Sequence, residues 1–83
     1  MTDQTKPRSL AAIAYDIRKT WTKPYFGAAP YIDAMGNLSD IHDMYFHDTG
    51  ESVVRYFLAN AKTWRGDDAK RIKAELKLIA KVK

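Results

Sequence analysis

The sequence predicts an all-α fold, a small compact bundle of three to four helices with an aromatic-rich connection between helices 1 and 2. Three observations carry that expectation. Apolar residues recur at steps of three and four in separate stretches, the period that lines one helix face. No stretch alternates apolar and polar residues over a strand's length, and "VVRYFL" (53–58) is absorbed by the helical pattern around it. Ser, Pro, Gly and Asp stand where such helices would start and stop.

In chain order, residues 1–8 contain Pro7 and lack apolar periodicity, which reads as a flexible or loosely docked arm ahead of a single helical domain, 9–83. Ser9 is placed as an N-cap before Leu10, Ile13, Ala14, Ile17 and Trp21, so the spacing predicts a first helix over 9–21. Pro24 disfavours helix at Lys23 and ends it. Pro30 suits the first turn of a short second helix carrying Tyr31, Ile32 and Met35, which Gly36-Asn37 would end in a left-handed cap. The next stretch, "NLSDIHDMYFHDTG", reads either as a further turn starting at Ser39 or as an irregular crossing. Asp48 and Glu51 have capping-box spacing before Val54, Phe57, Leu58, Ala61 and Trp64, which predicts a helix over 49–65. Gly66 then stops the chain and Asp67 caps a last helix over 67–81, with Ala69, Ile72, Leu76, Ile79 and Ala80 on one side. So short a link between those two helices favours an antiparallel hairpin.

A chain of 83 residues supports one modest core, which argues against a deep enzymatic cleft. The absence of cysteine excludes a disulfide framework and cysteine-bearing zinc sites, and suits a reducing cytoplasm. There is no apolar run of membrane-spanning length, and "MTDQTKPRS" lacks the apolar centre of a signal peptide, so no membrane partner is expected. The net charge of +4 is unevenly spread: residues 1–30 carry +3, residues 31–52 carry five acids and no Lys or Arg, and residues 53–83 carry +6. An acidic middle between basic flanks serves internal complementarity, self-association, or simple separation of charge on a solvated surface.

Two faces of the last helix are candidate sites. Lys70, Lys73, Lys77 and Lys81 fall within roughly 80° of arc. Such a strip, with Arg65 and Arg71 as further candidates, suits contact with phosphates of nucleic acid; the rival reading is a face for solubility or protein contact. Leu78 and Val82 lie off the apolar stripe, beside Arg71 and Glu75; exposed, they would anchor a partner protein or a second copy of the chain, and buried they widen the core face. In "KPYFGAAPY" (23–31), Tyr25, Phe26 and Tyr31 are expected to pack into the core, with a partner-facing patch of Tyr25 and Phe26 as the next reading and small-molecule or base stacking as the third.

Enzymatic signals are lacking. The sequence has no Gly-x-Ser-x-Gly elbow and no Gly-rich phosphate loop, and Ser9, Ser39 and Ser52 each suit a helix start. Asp40, His42, Asp43, His47 and Asp48 resemble a divalent-ion cluster only weakly and are expected to cap turns. Neither catalytic residues, a metal nor a cofactor is expected.

The strings "SLAAIAYDIRK", "PYFGAAPYIDAM" and "VVRYFLANAKTWRGDDAKRIKAELK" resemble a group of small proteins encoded by phages of actinobacteria, over about residues 9–80. That resemblance implies expression in the cytoplasm of an infected bacterium and transfers no catalytic residue. It points to a protein that binds a host or phage macromolecule, by analogy with other small phage products.

Overall fold

The computed structural model describes residues 8–80. Four helices and one minute hairpin follow in the order α1 (Leu10–Thr20), α2 (Ala29–Gly36), β1 (Met44–Tyr45), β2 (Asp48–Thr49), α3 (Gly50–Ala59) and α4 (Asp67–Ala80). This is an all-α domain in all but the hairpin.

Helix α1 forms where its signals place it. Ser9 is extended, and its Oγ accepts the Ala12 N–H at 3.1 Å. Two further N–H groups that the helix start leaves open are taken by the segment after α2, Leu10 donating to Ser39 O at 3.0 Å and Ala11 to Leu38 O at 2.9 Å. The apolar face, Leu10, Ile13, Ala14 and Ile17, is buried. Pro30 sits in the first turn of α2, which buries Ile32, Ala34 and Met35. Its end differs from expectation: Asn37 has φ −102°, so no left-handed cap forms, and the Asn37 Nδ2 instead donates to Asp33 O at 2.9 Å.

Residues 38–43 form a hydrogen-bonded turn. The Asp43 carboxylate accepts from the N–H groups of Ser39 and Asp40, and Asp40 Oδ1 accepts the His42 N–H at 2.7 Å. The hairpin that follows pairs Met44 with Thr49 and Tyr45 with Asp48. Phe46, in its two-residue loop, has φ +57°, a conformation that strains a bulky side chain.

The start of α3 is capped by Thr49, whose Oγ1 accepts the Ser52 N–H at 3.1 Å, and not by the Asp48/Glu51 box. The helix also ends earlier than the periodicity suggests, at Ala59. Asn60 explains the stop: its Nδ2 takes the Tyr56 carbonyl at 2.9 Å, competing with the helical ladder. Ala61 and Trp64 are nevertheless buried, because the non-helical crossing over 60–66 keeps them facing the core. Gly66, at φ +110°, leads into α4 and its carbonyl accepts the Lys70 N–H at 3.0 Å.

The core gathers Leu10, Ile13, Ile17, Ile32, Met35, Phe57, Ile72 and Leu76, all fully buried. Trp21 and Trp64 stack with centroids 5.1 Å apart, and Phe57 meets both edge-on. The expected aromatic core contribution of the 23–31 connection is only partly present. Tyr31 packs half-buried against the core, but Tyr25 is 45% exposed and Phe26 81% exposed. Ala28 fills the core position in their place, since its N–H bonds back to Tyr25 O at 2.8 Å and the resulting turn throws both rings outward.

Candidate functional site

Leu78 is 80% exposed on α4, although a helix of this small domain has a well-filled apolar stripe elsewhere. It stands on the lip of an open groove of about 550 Å³ between the start of α1, the 38–43 turn and the end of α4. Leu10, Ile41 and Ile79 supply apolar lining, while Arg8, Asp40 and His42 supply the polar margin. Val82, its expected companion, lies outside the described residues, as does Lys81.

The charges beside Leu78 are already matched. Arg8 donates to Glu75 through Nε (2.9 Å) and Nη2 (2.6 Å), and to Asp16 through Nη1 (2.9 Å). These bonds, that to Glu75 foremost, raise the Arg8 pKa above its already high ordinary value. Arg71 donates to the same Asp16 at 3.1 Å and to Asp68 at 3.2 Å. Hydrogen bonds from Arg71 and then Arg8 hold the Asp16 carboxyl below the ordinary carboxylate range. Of the expected N-terminal arm only Arg8 is described, and it is tied to α1 and α4 at once.

The lysine strip is less uniform than its spacing suggests. Lys73 is half-buried: its Nζ donates to Trp64 O at 2.6 Å and lies 5.9 Å from the centre of that indole ring. Burial, with Lys77 and Arg65 nearby, lowers its pKa. Arg71 is engaged with Asp16 and Asp68. Lys70, Lys77 and Arg65 remain exposed and, among the described residues, form no ion pair.

A second exposed surface centres on Tyr25 and Phe26, whose rings lie 4.9 Å apart. Tyr56 of α3 is also exposed, at 48%, with its ring 5.6 Å from that of Tyr31. The signal for Tyr56 is readable in the sequence, because it falls off the α3 stripe of Val53, Val54 and Phe57. Phe46 and Met44 are also exposed, on the hairpin. With strands of two residues each, no alternation exists from which their exposure would follow.

The Asp and His residues of 40–48 are not gathered into a ligand set; among the described residues no group of three or more metal-ligating side chains converges. No helix among them is long and apolar enough to cross a membrane. Comparison with models of known protein families, with curated proteins and with solved structures finds no match to this chain.

Proposed function

We propose that this chain is a non-enzymatic accessory protein of the phage type, which works by binding another protein at the groove beside Leu78. The observation that carries the reading is the 80% exposure of Leu78 next to the apolar lining of Leu10, Ile41 and Ile79. An exposed leucine is unremarkable alone, but one placed against a recess offers both a side chain to insert and a site to receive one. Arg8, Asp16, Arg71 and Glu75 are mutually bonded around it, so a partner meets a surface whose polar groups are already satisfied and ordered. Burying the Leu78 side chain contributes about 1.5–3 kcal/mol, enough to make it an anchor. The partner is a host or phage protein, or a second copy of the chain.

The test compares the tagged full chain with its Leu78→Lys variant in nuclease-treated bacterial lysate, alongside sedimentation of each purified protein. A stoichiometric partner, or a dimer, that is present with the parent chain and lost in the variant supports the reading, provided the melting curves agree. Identical captured proteins and identical sedimentation would remove Leu78 from any binding role.

A further inference from the structure

We propose that the face built from Tyr25, Phe26 and Tyr56 binds single-stranded nucleic acid by stacking unpaired bases on its exposed rings. The site is separate from the Leu78 groove and does not depend on it. Tyr25 and Phe26 form its centre, and Tyr56 lies one helical turn before Asn60 on α3. Tyr25 and Phe26 contact each other; Tyr25 shares a small recess with Ala59, Asn60 and Lys62; and Asn60 bonds to the Tyr56 carbonyl.

Backbone geometry fixes the platform. Tyr25 lies so close over Gly27 that a Cβ there would come 2.5 Å from Tyr25 Cε2 and 2.9 Å from Asn60 Oδ1. The ring therefore rests on bare backbone, packs against Phe26 and leaves the residue 45% exposed. Phe26 contributes almost nothing to the core at 81% exposure, so its ring is free to meet a ligand.

Charge selects the class of ligand. The acids of the two flanking helices are occupied, Asp33 with Arg18 and Glu51 with Arg55 at 3.7 Å. Lys23, two residues before Tyr25, and Lys62, in the recess itself, form no ion pair among the described residues. Exposed rings with surplus cations beside them match a polyanion that carries flat, unpaired bases. A duplex keeps its bases stacked internally and presents no such faces, so the site favours single strands.

The experiment is fluorescence anisotropy of the full chain with labelled oligo-dT and oligo-dA of about twelve nucleotides, within the site sizes such platforms span, and with a duplex of equal length. Expected are binding to both single strands in preference to the duplex, loss with added salt, and a fall in affinity of about tenfold in Phe26→Ala. Lys62→Gln is expected to weaken binding and flatten the salt dependence. Because Phe26 is so exposed, its variant should melt like the parent chain; Tyr56→Phe, which keeps the ring, should bind like the parent chain. Three results each overturn the proposal: no binding at about 50 mM salt, where electrostatic contacts are strong; equal affinity for duplex; or unchanged affinity in Phe26→Ala with loss in a Lys70→Gln, Lys77→Gln pair. Retention of lysate proteins by the Phe26→Ala variant bears only on the Leu78 groove, so the two readings fail separately.

Discussion

Replacing Gly50 by alanine should destabilise the protein, although the same change at a helix start ordinarily helps. Gly50 opens α3 and is buried against the 38–43 turn, where a Cβ would come 2.7 Å from both Asp40 O and Ile41 Cα. These are backbone atoms, and they are held in place by Gly50 N–H donating to Asp43 O at 2.8 Å and Glu51 N–H to Ile41 O at 2.9 Å. Restoring ordinary contact at 3.4 Å requires the turn to retreat by about 0.7 Å, which carries both hydrogen bonds past their favourable length. Overpacking contributes about 2 kcal/mol of destabilisation and the weakened bonds about 1, against a gain of about 1 from replacing a helical glycine. The net loss is about 2 kcal/mol, or about 8–16 °C in Tm for a domain of this size. Gly36→Ala provides the opposite sign, since that position is helical and nothing lies within 4 Å of its Cβ; a gain of about 0.5 kcal/mol is expected there. Thermal melts followed by circular dichroism, with urea titrations at constant temperature, measure both. A Gly50→Ala protein as stable as the parent chain would refute the clamp between α3 and the turn.

Three further outcomes follow from described contacts. Thr49→Ala should lower stability by about 1 kcal/mol through loss of the α3 cap, whereas Asp48→Ala should stay within about 0.5 kcal/mol; urea titration of both variants distinguishes the two caps. Phe46→Gly should raise stability by about 1 kcal/mol in the same assay, because glycine adopts φ +57° without strain and the lost ring is 82% exposed. Asp16 has its folded pKa depressed, so its contribution is complete above the unfolded value of about 3.9 and is lost as pH falls through the folded value. Asp16→Asn should therefore reduce stability at neutral pH, by under about 1 kcal/mol for so exposed a network, and should flatten the loss of stability below about pH 4 in denaturant titrations.

The sequence revealed most where local chemistry and burial agree. Helix α1 combines Ser9 with an uninterrupted apolar stripe, and α4 combines first-turn acids with one, so α1 was legible in place and length and α4 in its start and course through the described residues. The end of α3 was not, because Ala61 and Trp64 continue the helical period even though Asn60 has diverted the backbone. At 23–31 the residue types announced a large aromatic surface, but its direction depends on a single turn, Ala28 N–H to Tyr25 O, that decides which residue enters the core. The basic strip of α4 was legible as a strip. That Lys73 would be drawn onto the Trp64 carbonyl depends on the path of the 60–66 crossing, which carries no periodic signal of its own. Leu78 and Phe26 were both identifiable as residues to watch; whether they face solvent is a property of tertiary packing.

The chain has only two tryptophans, and they are stacked on each other. All of its indole emission thus originates at one junction, where α1 gives way to the aromatic connection and the 60–66 crossing runs past α3. Emission reports whether that junction is closed, while far-ultraviolet dichroism averages over every helix. Coincident transitions by the two signals would mean that the junction and the helices melt as one cooperative unit. An indole transition that comes first would locate the earliest opening of the molecule at the end where Lys73 meets Trp64, leaving the Arg8 contacts to hold α1 and α4 together at higher temperature.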